Sequence, residues 1–176
     1  LPSLCGYFLY HHTINRGKIQ SFLPVDKERS AVYNKYENEK REKNKMDVFE
    51  AIYARRSVRK YKKGAPVAKE SIQKLLDAAM HAPSAVNSRP WEFYCTDKEE
   101  VKAALMAAHP ASRMLETASW AIVVCGRPDL QPRHSYWPQD CGAAVENILL
   151  QATALGYGTC WCGCYPTEPR TSLGQE

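Results

Sequence analysis

From residue 46 onward the apolar positions recur with periods that change from segment to segment. Asp47 followed by Glu50 forms a capping-box signature, and Val48, Phe49 and Ile52 then share one helical face. Ile72, Leu75, Leu76, Ala79 and Met80 keep a 3.6-residue period, so the spacing predicts a helix over Lys69–His81, ended by Pro83. Trp91–Thr96 reads as a short aromatic strand. Asp97 and Glu100 are placed to cap a third helix through Val101, Leu105 and Ala108. Trp120–Cys125 is apolar throughout, as in a strand covered on both faces. Pro138 opens a longer helix with Cys141, Ala144, Val145, Ile148, Leu149 and Ala152 as its buried stripe, and Gly156 closes it. Thr159–Tyr165 reads as a last strand. The order helix, helix, strand, helix, strand, helix, strand fits an α+β or an α/β layer fold, and the pattern does not choose between them.

Residues 1–45 show no sustained period and run into Tyr36–Lys45, which is almost wholly charged or Asn. This segment reads as a poorly ordered or non-native extension, with a small helix over 31–43 as the alternative. The apolar fraction of 44% is enough for a core. No apolar run reaches the ~20 residues of a membrane span. Seven cysteines, an odd number and partly inside strand-like runs, point to reduced thiols in a cytoplasmic protein rather than a disulfide framework. The net charge of +5 is concentrated between Arg55 and Lys63, which implies an anionic partner.

Three segments have the residue types for chemistry. Arg55, Arg56, Ser57 and Arg59 make a phosphate clamp, because guanidinium groups bind phosphate bidentately and a hydroxyl adds a short donor. A solvated basic turn is the alternative. A nucleic-acid surface is a weaker one, since no nucleic-acid motif accompanies the patch. The loop Pro83-Ser84-Ala85-Val86-Asn87-Ser88-Arg89-Pro90 offers donors and acceptors between two prolines, which suits the edge of a planar heterocycle. It could equally be a connector that satisfies its own backbone. In Gly158-Thr159-Cys160-Trp161-Cys162-Gly163-Cys164 the glycines permit close approach to a flat ligand, and the alternating thiols share one strand face. The spacing lacks the turn of a zinc knuckle, so no metal is expected. There is no GxSxG, HExxH, GxGxxG or Walker A sequence, so a catalytic side chain is not expected either. In an enzyme the chemistry would come from a cofactor.

In this order and at these spacings, RRSVR, PSAVNSRPW and GYGTCWCG resemble the nitroreductase family over residues 46–170, with WPQDCGAAVENILLQATALG as the helix before the last segment. The resemblance implies an α+β fold, with a mixed, mostly antiparallel central sheet flanked by helices, in a homodimer that holds flavin mononucleotide (FMN) at its interface. Arg55, Arg56, Ser57 and Arg59 would hold the FMN phosphate and ribityl chain. Pro83, Ser84, Ala85 and Asn87, from the other subunit, would meet the isoalloxazine ring, with Gln139 as a further contact. Cys162 and Gly163 fall where the family directs backbone N–H groups at the ring. NADH or NADPH would be the electron donor, and a small molecule such as a nitroaromatic, quinone or enone the acceptor. Residues 46–176 would then be the flavin domain, incomplete at its C-terminus, because the family pattern continues for several tens of residues with another helix, a core strand and further basic contacts.

Overall fold

The computed structural model describes residues 4–8, 46–131 and 135–165, the first of these as backbone only. Helix α1, Val48–Ala54, is closed at its start by the expected capping box. Asp47 accepts from the Glu50 N–H at 2.8 Å, and Glu50 accepts from the Asp47 N–H at 3.0 Å. Of its seven residues only Ala51 is buried. Helix α2, Lys69–Met80, buries Ile72, Leu75, Leu76 and Ala79 of the positions its period singled out, and half-buries Met80. Helix α3, Glu99–Ala108, starts one residue later than Asp97 would place it. Lys98 is the N-cap, and no side chain caps the turn. Helix α4, Trp137–Ala154, puts Pro138 at its second position and buries Cys141, Ala144, Val145, Ile148, Leu149 and Ala152 as predicted. Gly156 follows it at φ +81°, a left-handed conformation open to glycine.

Strands β1 (Leu4–Phe8), β2 (Trp91–Thr96), β3 (Trp120–Gly126) and β4 (Trp161–Gly163) form one sheet in the order β2-β3-β1-β4. The β2/β3 pair is antiparallel, running from Trp91 opposite Gly126 to Thr96 opposite Ala121. Both partners of β1 are parallel to it: β3, with Leu4 opposite Trp120, and β4, with Gly6 opposite Trp161. Among the described residues the sheet is therefore mixed, but antiparallel pairing is confined to β2/β3. The parallel pairs both come from β1, which enters between β3 and β4 in their own direction. A five-residue apolar run with a central glycine has no alternation by which sequence could assign it. The rest of residues 1–45, including the charged run, lies outside the described residues, as do residues 166–176.

β3 is covered on both faces, as its unbroken apolar run required. Ile122 and Val124 join α2, α4 and Trp91 in one core cluster. Ala121, Val123 and Cys125 join Leu105 of α3, Met114, Leu115 and the thiols of Cys160, Cys162 and Cys164 in a second. Helices thus lie on both sides of one sheet. No helix among the described residues is long and apolar enough to cross a membrane.

Candidate functional site

The basic segment and the glycine–cysteine strand come together. The Val58 N–H donates to the Thr159 carbonyl at 2.8 Å, and Ser57 bridges Thr159 in parallel. Gly158 lies directly against Val58: a Cβ there would stand 3.1–3.3 Å from three side-chain carbons, so a side chain would push the two segments apart. This pairing takes Thr159 out of the expected strand, which shortens to Trp161–Gly163. Arg59 is close enough for its charge to act on the Cys160 thiol. Arg55 Nε approaches Glu146 of α4 at 3.6 Å, in a pair with both partners part-exposed. Arg56 uses one terminal nitrogen on the carbonyls of Tyr53 and Arg55, capping its own helix, which leaves its other N–H donors to a ligand. Ser57, Arg56 and Arg59 are exposed.

Gly163 is exposed, and a Cβ placed on it would meet nothing within 4 Å. Its carbonyl accepts from Nε2–H of His109, a buried histidine, at 2.9 Å. The neighbouring Trp161 ring lies over Gly142 of α4, where an added Cβ would stand 3.5 Å from it. Cys160, Cys162 and Cys164 are buried on one face as predicted, with Cys162 Sγ 3.9 Å from Met114 Sδ. The hydrogen bond with Cys162, and then burial, push the Cys160 thiol above its ordinary range, so it stays neutral and weakly nucleophilic. Among the described residues no group of His, Cys, Asp and Glu is arranged to hold a metal ion.

The loop between the two prolines has a different anchor. Val86, Asn87 and Arg89 all take positive φ, of 50°, 55° and 48°. Asn tolerates this region, but a β-branched valine in it is an outlier. Such residues cost about 1–3 kcal/mol each. Buried Asp140, in the first turn of α4, holds the loop from below: both carboxylate oxygens accept the Ala85 N–H, at 3.1 and 3.2 Å. Gln131 Nε2 donates to Asp140 and to Ser88 Oγ, both at 2.7 Å. Ser88 Oγ donates to the Ala85 carbonyl at 2.8 Å, and the Arg89 N–H donates to Ser84 Oγ at 2.9 Å. Charge-assisted bonds of this kind contribute about 1.5–3 kcal/mol each, the same order as the strain they oppose. Pro83 and Asn87 stand exposed at the rim, with Ser84 and Ala85 half-buried, and Gln139 is exposed on α4.

Helix α4 is the shared post of both groups. Positions 142 and 146 lie within about 40° of each other around it, whereas 140 and 146 are about 120° apart. Within one chain, Trp161 and Arg55 therefore attach to one side of α4 and the 84–89 loop attaches to another. The sequence did not single out Glu146, Gly142, Asp140, Gln131 or Ser88. One signal was present: Asp140 stands four residues before Ala144 on the buried stripe, and a carboxylate there needs a built partner.

A model of the family described as Nitroreductase family matches residues 52–131 and 107–169, more than half of the chain. The chain belongs to the nitroreductase family. A relative in Methanothermobacter thermautotrophicus named "Putative NADH dehydrogenase/NAD(P)H nitroreductase" is 46% identical over 127 residues, 72% of this chain and 66% of that one. A crystal structure under the same name from Parabacteroides distasonis matches at 40% identity with TM-score 0.68, covering 73% of this chain and 74% of the other. An "FMN-dependent Nitroreductase" from Clostridium difficile is 34% identical with TM-score 0.61, covering 67% of each chain. The chain thus spans just under two thirds of the length of its Methanothermobacter relative. The nitroreductase-family match takes in the three segments singled out above.

Proposed function

We propose that this chain is an FMN-dependent oxidoreductase that takes electrons from NADH or NADPH and passes them to a small acceptor. The observation that carries the reading is the joining of RRSVR to GTCWCG through Val58 and Thr159. It sets exposed guanidinium and hydroxyl donors beside the segment that carries an open glycine, Gly163, four residues past the join. The donor set fits a phosphate: Arg55, Arg56, Ser57 and Arg59 supply donors and positive charge, and the carboxylate paired with Arg55, Glu146, stands off at 3.6 Å and part-exposed. Family relatives named for NAD(P)H and for FMN support the same cofactors. When bound there, the flavin supplies hydride acceptance from NAD(P)H and its onward delivery, in alternating half-reactions, to a nitroaromatic, quinone or enone.

The chain's own part is to hold and orient. The arginines and Ser57 fix the phosphate, and their positive charge favours the reduced, anionic ring over the oxidised one. The backbone at Cys162 and Gly163 faces one edge of the ring, with Gly163 leaving room for close approach. Pro83, Ser84, Ala85 and Asn87 meet the ring from a second copy. The two sides of α4 support that assignment: the clamp and the loop of one chain hang on different faces, and a two-fold partner would bring them to one ligand. The exposed apolar face of α1 supports the same homodimer. The buried thiols of Cys95 and Cys141, which form no disulfide, suit a reducing compartment such as the cytoplasm.

The test is flavin binding in the double variant Arg55→Ala/Arg56→Ala. Removing two guanidinium–phosphate contacts should weaken FMN binding by about 3 kcal/mol or more, at least about a hundredfold in Kd. Stability should change by no more than about 1 kcal/mol, because the Arg55–Glu146 pair is part-exposed. Unchanged flavin occupancy in the double variant would remove the clamp. A wild-type protein that is colourless and takes up no FMN would remove the whole proposal.

A further inference from the structure

We infer that Asp140 is a positioning residue for the flavin ring: through Ala85 and Gln131 it holds the 84–89 loop in a course with left-handed turns at Val86, Asn87 and Arg89, and so fixes where Ser84 and Asn87 stand. This rests on the function proposed above. Three facts combine. Asp140 is 8% exposed and on the core stripe of α4, where an apolar residue would pack without cost. Its two oxygens converge on one backbone N–H of the loop, and its third bond goes to Gln131, itself 4% exposed. The loop it holds contains three non-glycine residues at positive φ within four positions. Burying a carboxylate to hold a strained turn is a stability loss in itself. It is explained if the turn's shape is what matters. The shape exposes Val86 and Asn87 outward, with Asn87 Oδ1 steadied by Arg89 Nε at 3.2 Å.

Gln131 makes the anchor directional. Its Nε2 donates to both Asp140 and Ser88, so the amide's orientation is set by the carboxylate. Asn at 140 keeps the shape and can still accept from Ala85, but it turns an N–H₂ group towards the Gln131 amide donor. Changing Gln131 to Glu restores an acceptor for that group. The exchange Asp140→Asn with Gln131→Glu therefore conserves volume and total charge while reversing the donor–acceptor sense.

The experiment compares wild type, Asp140→Ala, Asp140→Asn and the exchange variant, each loaded with FMN and assayed with NADH and menadione. Because the loop meets the ring and not the phosphate, the FMN Kd should rise only a few-fold in Asp140→Ala. The visible flavin band should shift or lose its fine structure, and turnover should fall by about tenfold or more, as for a misplaced reacting group. Hydrogen exchange should speed at Ala85, Asn87 and Ser88 while the amides of α2 and α4 stay protected. Asp140→Asn should show the same signature more weakly, and the exchange variant should recover part of the turnover. An unchanged flavin band and turnover in Asp140→Ala would overturn the inference, leaving Asp140 a structural residue. So would a uniform loss of protection in Asp140→Ala and Asp140→Asn, or no recovery in the exchange variant. Failure of wild type to bind FMN instead sinks the parent reading, and this ring-positioning role with it. Faster exchange at Ala85 alone would then mark only a loop anchor.

Discussion

Burial pushes the thiols of Cys95 and Cys141 up to about 12, with the Asp140 carboxylate adding to the effect on Cys141. A neutral buried thiol is a poor nucleophile and a small apolar filler. The native protein should therefore resist alkylation at Cys95, Cys125, Cys141, Cys160, Cys162 and Cys164 at about pH 8 and react once unfolded. Peptide mass spectrometry after a short iodoacetamide pulse reads this directly, and rapid labelling of Cys160 or Cys162 in the folded state would contradict it. The same shift makes stability depend on pH. In the unfolded chain the thiols of Cys95 and Cys141 ionise near their ordinary value of 9.0, while in the folded chain they keep their protons until about 12. Above pH 9 the unfolded state releases protons that the folded state holds, so the stability present below that pH declines as pH rises towards 12. Urea midpoints measured across this window should fall more steeply in wild type than in Cys95→Ala. Parallel curves would show that Cys95 contributes nothing to the slope.

At the scale of the element, the join of β3 to α4 leaves no room for a side chain at Gly126. A Cβ on Gly126 would stand 2.1–3.0 Å from three atoms of the Trp137 ring, which is itself buried and packed edge-on against Tyr165 at 4.8 Å. Gly126→Ala should therefore cost about 1–3 kcal/mol through displacement of Trp137, seen as a Tm lowered by about 2–8 °C. An unchanged Tm would mean that Trp137 can move freely. The long periodic elements were legible: α2, α4 and β3 buried the residues their patterns named, with only Met80 and Trp120 left half-buried, because each spans enough positions for a period to show. β1 was not, since five apolar residues without alternation fit several structures. Nor was the outward turn of α1, whose apolar positions have the same spacing whether they face a core or a partner. In the site, the segments with chemistry could be read as segments. Their pairing through Val58 and Thr159 could not, because contacts about a hundred residues apart leave no mark on local spacing. The left-handed course at Val86 was hidden for a different reason: tertiary bonds to Asp140 impose it against the residue's own preference.

For the whole molecule, the telling feature is the face that α1 leaves uncovered. Val48, Phe49, Ile52 and Tyr53 are 61%, 66%, 49% and 73% exposed on one seven-residue helix. Adjacent large apolar groups of this kind mark an interaction surface more often than a solvated one. Under the function proposed above, a second copy would cover this face and bring the 84–89 loop of one chain to the clamp of the other, so assembly and flavin binding should be coupled. Anything that binds the assembled state and not its parts stabilises it by mass action. A charge placed in the middle of the face, Phe49→Asp, should leave the fold intact, because Phe49 contributes little to the core. It should shift the mass measured by analytical ultracentrifugation from two chains to one chain of 19.9 kDa. FMN affinity should fall with it, and adding FMN should restore part of the two-chain species. A Phe49→Asp protein that stays two-chain would exclude this face from the contact. A one-chain protein that binds FMN as tightly as wild type would break the link between the two sides of α4, and with it the shared site.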